Sequence, residues 1–220
     1  MSTVAVIPVK RLGRALRRLS RVLEPDDRRA LQVAMLEDVL SACRAAERLD
    51  GIVVVTEDLD AAMLAQDLGA AAVPDHSPPR GMNAAVEIGV ETVDEHGADA
   101  ALILVSDIPL ASGPAIDAVI DSATGGRGAV LVPSRDGTGT NALLVEPPRA
   151  LAPQLGPDSR AKHLALAGER DLQLTEIEIP ELALDVDTAQ DLADLANSAN
   201  SGRAAELTRA RGLVDSSRSL

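Results

Sequence analysis

No phenylalanine, tyrosine or tryptophan occurs among the 220 residues. The core must therefore be built from Leu, Val, Ile, Met and the 37 alanines. Nucleic-acid modules that stack bases on aromatic platforms are excluded, as are aromatic cages for quaternary amines. A single cysteine, Cys43, rules out an internal disulfide, and its helical neighbours SACRAAERL mark it as a small core residue. No apolar run is long enough to cross a membrane. The N-terminal MSTVAVIPVK is too short for a signal-peptide core and has no basic stretch before it, so a cytoplasmic protein is expected.

Lysine is scarce as well, with only Lys10 and Lys162, and the net charge is −13. Such a balance argues against nucleic acid or an anionic membrane as the main partner. The charge is uneven, however. Eight basic residues lie between Lys10 and Arg29, against Glu24, Asp26 and Asp27. A cationic patch on an acidic chain suggests a small polyanionic ligand.

Short β-rich runs alternate with helical patterns. Val4 to Val9, Ile52 to Thr56, Ala71 to Val73, Ala101 to Val105, Ala129 to Val132 and Ala142 to Val145 read as strands, and their continuous apolar character suits burial on both faces. Helices are expected over Asp26 to Leu49, Leu59 to Leu68, Asn83 to His96 and Gly113 to Ala123, with one more after Gly156-Pro157-Asp158-Ser159 and another opening at Thr188. The order predicts one α/β domain over 1–200 with a mainly parallel sheet. The polar residues 201–220, weakly helical around Ala204 to Arg211, read as a frayed or partner-dependent tail.

In such sheets ligands bind beyond the carboxyl ends of the strands. Lys10 and the arginines after it follow the first strand and can neutralise a triphosphate, although Arg11, Arg14 and Arg21 read equally as a solvated helix face. Val105-Ser106-Asp107-Ile108-Pro109 ends a strand in one carboxylate, which could also serve as a helix cap. In Leu184-Asp185-Val186-Asp187-Thr188 the i, i+2 spacing puts Asp185 and Asp187 on one side of an extended segment. With Asp107 they form a candidate Mg²⁺ site, since that ion takes a few carboxylates plus substrate phosphates. Asp187 could instead cap the next helix. The loops Asp136-Gly137-Thr138-Gly139-Thr140-Asn141 and Gly156-Pro157-Asp158-Ser159 offer glycines, hydroxyls and a helix start to an anion, or are simply turns. His163, in the helix after the second loop, is a candidate to face the same site, while His76 and His96 lack metal-ligand spacing.

Together these stretches resemble the guanylyltransferases that activate 2-phospho-L-lactate or phosphoenolpyruvate in biosynthesis of the deazaflavin coenzyme F-420. The likeness runs from Val4 to Leu195 through IPVKRLGRALRRLS, RRALQVAMLEDVL, RGMNAAVEIGV, SDIPL, DGTGTNALL, GPDSRAKH and LDVDTAQDL. It implies a nucleotide-diphospho-sugar transferase (GT-A-like) fold, a three-layer α/β sandwich with a mixed, mainly parallel sheet. It also implies transfer of GMP from GTP to a phosphorylated three-carbon acid, with Mg²⁺ held by Asp107, Asp185 and Asp187. Thr140, Gly156 and Ser159 become contacts to the acid, Lys10 and Arg18 contacts to the triphosphate, and Gly81 and Asn83 contacts near the nucleoside. Leu16 stands where the family usually has a second lysine, Leu155 where it has phenylalanine and Met82 where it has leucine. A homodimer is left open. The alternatives are another nucleotidyltransferase or a sugar transferase on the same fold, or a non-catalytic nucleotide-binding module.

Overall fold

A computed structural model describes residues 1–13, 16–75, 81–199 and 201–214 of the chain. Arg14 and His76 lie outside the described residues. The strands are β1 (Thr3–Val9), β2 (Gly51–Thr56), β3 (Ala71–Pro74), β4 (Ala100–Leu104), β5 (Gly128–Pro133), β6 (Thr140–Glu146) and β7 (Gln173–Glu176). The helices are α1 (Pro25–Ala45), α2 (Leu59–Asp67), α3 (Met82–Glu95), α4 (Gly113–Asp121), α5 (Ser159–Glu169), the single turn α6 (Pro180–Ala183), α7 (Ala189–Asn197) and α8 (Arg203–Ala210), with a 3₁₀ turn at Arg17–Arg21.

The strands form one sheet in the order β3-β2-β1-β4-β6-β5-β7. Strand β6 runs antiparallel to both neighbours, whereas β1 with β2 and β4, β2 with β3, and β5 with β7 are parallel. Only six residues, 134–139, separate β5 from β6. So short a connection permits a hairpin and no crossover. Because β2 and β4 flank β1 on opposite sides, the chain reverses its direction of travel there, and a crevice opens at the carboxyl ends of β1 and β4.

Alternate strand residues feed two cores, as the two-residue period requires. Ala5, Ile7, Val54, Leu102, Leu104 and Leu144 pack under α1 and α4. Val6, Val53, Val55, Ile103 and Leu143 pack under α3, with Val86 and Val90. Three layers result. Helix α3 approaches the sheet so closely that a Cβ on Gly89 would lie 2.4 Å from Val6 Cγ1 and 2.9 Å from Val55 Cγ2. Cys43, buried in the α1 side, is the core residue expected, and burial pushes its thiol up to about 12.

A third cluster joins the other flank of α1 to the C-terminal helices through Leu31, Met35, Leu192, Leu195, Ala204 and Ala205. Residues 203–210 are therefore a packed helix, in contrast to the tail expected from Ser201. Its first N–H groups, at Arg203 and Ala204, donate to the two carboxylate oxygens of Asp38 on α1 at 2.7 and 2.9 Å. Local polarity hides this, because the apolar face of α8 is made of alanine and completed only by α1.

Candidate active site

At the end of β1 the chain passes into a loop fixed by two side chains. Leu12 N–H donates to Asp58 Oδ2 at 2.9 Å, and Gly13 N–H donates to Gln32 Oε1 at 2.6 Å. These bonds set the course of the backbone around exposed Lys10. Leu16 is buried beneath the 3₁₀ turn among apolar neighbours, and Arg17 and Arg18 carry positive charge on this wall with Lys10.

At the end of β4, Asp107 sits in the turn after the strand, and its carbonyl accepts from Val186 N–H at 3.0 Å. That single bond lays the LDVDT segment against SDIPL, 79 positions away in sequence. Val186 is fully buried between the two aspartates; of these, Asp187 lines the neighbouring cavity, whereas Asp185 does not and is bonded to Asn141. Burial, followed by the nearby Asp185 and Asp187, raises the Asp107 carboxyl to about 7, with Lys10 opposing the rise. Asp185 is raised too, first by burial, while Asn141 holds it with a 3.3 Å bond from Nδ2. The same Nδ2 reaches the carbonyls of Leu182 and Ala183 at 3.0 Å, making Asn141 the post that positions Asp185. Arg18 Nη1 lies 3.5 Å from Asp187 Oδ2.

A cavity of about 330 Å³ is lined by Lys10, Arg17, Arg18, Asp107 and Asp187 together with the apolar Leu16, Met35 and Met82. A groove of about 210 Å³ adjoins it through Pro8, Val9, Lys10 and Met82, and carries Glu57, Asp75 and Gly81. Gly81, at φ +90°, precedes α3 with open space around it. Cations thus face carboxylates across one crevice. Among the described residues no three acidic, histidine or cysteine side chains are grouped closely enough to hold a metal ion alone.

The remaining expected residues lie elsewhere. In the loop 134–139, Asp136 accepts from the Ser134 hydroxyl and from Thr138 N–H, and Ser134 Oγ accepts from Gly139 N–H, so most of its polar groups hold the turn itself. Thr140, 3% exposed, and Ser159, 1% exposed, are buried beside His163 and line neither cavity, whereas Gly156 is exposed. Asn83 does not face the groove with Gly81. Its Oδ1 accepts from Leu155 N–H at 2.7 Å and its Nδ2 donates to Leu155 O at 3.2 Å. The side chain is spent on clamping the loop before α5. Sequence reasoning gave no role to Asn141 or Asp38. Asn141 follows Thr140 in a motif already singled out, whereas Asp38 carries no local signal.

A known family matches the chain, with the model "Guanylyl transferase CofC like" covering residues 3–219. The chain belongs to this family. Curated relatives include a phosphoenolpyruvate guanylyltransferase of Sphaerobacter thermophilus, 38% identical over 94% of this chain and 98% of the relative. Another phosphoenolpyruvate guanylyltransferase, from Conexibacter woesei, is 43% identical over 87% and 86%. A 2-phospho-L-lactate guanylyltransferase of Methanothermobacter thermautotrophicus is 34% identical over 89% and 84%. Among solved structures, a Desulfovibrio desulfuricans G20 protein assigned to the nucleotide-diphospho-sugar transferases superposes with a TM-score of 0.75 at 17% identity, covering 97% of both chains. The fold is thus the one the family resemblance implies. No helix among the described residues is long and apolar enough to cross a membrane.

Proposed function

We propose that this protein transfers GMP from GTP to phosphoenolpyruvate or 2-phospho-L-lactate and releases pyrophosphate. The observation that carries the reading is the bond from Val186 N–H to Asp107 O, which lays the two aspartate motifs side by side on the wall of a crevice whose other wall is cationic. The curated relatives' names supply the nucleotide and the two acceptors. The single free, buried Cys43 suits the cytoplasmic location we propose.

In the reaction an acceptor phosphate oxygen attacks the α-phosphorus of GTP in line, the bond from that phosphorus to the bridging oxygen breaks, and pyrophosphate departs with the electron pair. The nucleophile is already an anion, so no general base is required. Lys10 and Arg18 would bind the triphosphate and stabilise the charge that accumulates on pyrophosphate. Asp107, Asp185 and Asp187 would hold Mg²⁺, whose role when bound is to offset the charge of the reacting phosphates. Asp107 and Asp187 on the cavity wall suit that ion, since Mg²⁺ takes one or two carboxylates and completes its shell with phosphates and water, with Asp185 beside Asp187 in the sequence motif. The acid would enter outside the two cavities, at exposed Gly156 and the start of α5, where Thr140 and Ser159, buried in this structure, would have to be reached for their hydroxyls to donate to it. Guanine would rest on Met82 and Pro8 in place of an aromatic ring, beside Gly81. Glu57 and Asp75 in that groove are of the type that accepts from the N1–H and N2–H groups that adenine lacks.

The test is product formation from GTP with each acid, read by mass spectrometry and pyrophosphate release, with and without Mg²⁺. Mg²⁺-dependent appearance of a GMP-acid diphosphate is expected. No product with either acid, or equal use of all nucleoside triphosphates, overturns the reading.

A further inference from the structure

One histidine and one asparagine, from different layers, hold consecutive residues of the loop that leads into α5. His163 is fully buried and stands one helical turn after Ser159, so both side chains share the α5 face turned to the sheet. Its Nε2 lies 2.8 Å from the backbone nitrogen of Gln154, and its Nδ1 lies 3.0 Å from Thr140 Oγ1. On the other side, Asn83 grips both backbone groups of Leu155.

The protons on this network can be accounted for. A backbone N–H only donates, so Nε2 must present its lone pair to Gln154. A neutral imidazole then keeps its one proton on Nδ1. Burial, with a smaller effect from Lys162, lowers the His163 pKa to about 4, so the ring stays neutral. Nδ1–H therefore donates to Thr140 Oγ1, and the threonine hydroxyl keeps its own hydrogen for another acceptor. No second partner for that oxygen occurs among the described residues.

We propose that His163 is a positioning residue for the acceptor: fixed as the Nδ1–H tautomer, it makes the Thr140 hydroxyl an obligatory donor to an anionic oxygen of the phosphorylated acid, and through Gln154 it holds the loop that presents Gly156. The proposal rests on the functional reading above. It gives a donor to an anion without placing a positive charge on the buried imidazole.

Two near-isosteres separate the histidine's two bonds. Asparagine places its amide nitrogen where Nδ1 stands, and glutamine reaches the place of Nε2. His163→Gln, which loses the donor to Thr140, is expected to raise the acceptor KM roughly tenfold or more, the scale for a misdirected hydrogen bond to an anion, while the GTP KM stays within about threefold. His163→Asn should stay nearer the parent than His163→Gln. In a Thr140→Val background, where no hydroxyl remains to orient, His163→Gln should add less than about threefold. A merely structural role predicts the same loss in both backgrounds, and that result overturns the proposal. The tautomer is read in the unaltered protein by ¹⁵N–¹H correlation of the imidazole nitrogens, with His163→Gln used to assign the signal. An Nε2–H tautomer or an imidazolium at pH 7 overturns the proposal whatever the activity. A parent that turns over neither acid defeats the functional reading by itself, and the spectrum still decides the tautomer.

Discussion

Replacing Asp107 with asparagine should produce two effects of opposite sign. In the absence of divalent cations the Asp107 carboxyl is raised from its ordinary 3.8 to about 7, first by burial and then by Asp185 and Asp187. Between those two values the native state holds a proton that the unfolded chain has released. Stability contributed by this group is therefore lost as pH rises through the interval, and the full cost is reached above pH 7. A rise of that size corresponds to about 4 kcal/mol at 1.36 kcal/mol per pH unit. Water and counter-ions reach this partly buried position, and the effective cost is nearer about 1–3 kcal/mol. An uncharged asparagine avoids it. At pH 8 in a chelating buffer, Asp107→Asn should melt about 2–12 °C above the parent, given roughly 2–4 °C per kcal/mol for a domain of this size, and the difference should vanish near pH 4. With Mg²⁺ and both substrates present, the same variant should lose at least about a hundredfold in turnover, the scale for removing a key electrostatic partner of the transition state. Thermal melts from pH 4 to 8, paired with pyrophosphate-release kinetics, measure both effects. Superimposable melting profiles would refute the cost of burying the Asp107 carboxylate beside Asp185 and Asp187, and near-normal turnover at saturating Mg²⁺ would refute the metal-binding role.

Three further outcomes are expected. Lys10→Ala and Arg18→Ala should each weaken GTP binding in titration calorimetry while acceptor affinity changes much less; unchanged GTP affinity in both would remove these side chains from the triphosphate site. Ser159→Ala and Thr140→Val should raise the acceptor KM roughly ten- to a hundredfold, as for a lost hydrogen bond to a charged group, with GTP binding measured alone left close to the parent; the reverse pattern would assign these loops to the nucleotide. Gly89→Ala should destabilise the fold by about 1–3 kcal/mol in urea titration, because the added methyl meets Val6 and Val55 inside contact distance and the sheet must yield; a neutral result would mean that α3 can lift from the sheet without loss.

Composition and periodicity alone place six of the seven strands and the six longer helices before α8, because buried parallel strands and amphipathic helices leave strong local patterns. The seventh strand, QLTE, leaves none, since its residues are exposed or half-buried at the sheet edge and it exists only by pairing with β5. Helix α8 leaves only a weak helical signal around Ala204 to Arg211, and its packing is invisible locally, as its alanines become a core only against α1. The chemistry of the site was legible as residue types: an i, i+2 pair of aspartates, a strand-end aspartate, and a run of cations after β1. Their assembly was not. Asp107 meets Asp185 and Asp187 because the order of strands puts β4 at the switch point and one backbone bond lays the 184–188 segment beside it. Asn83 was expected at the nucleoside and is found clamping Leu155, and His163 acquires its neutral state from burial and from a backbone N–H nine residues before it. A sequence carries the propensities and the donors and acceptors of each side chain. Which groups are desolvated together, and so which protons and charges they keep, is fixed only when distant segments share one low-dielectric space.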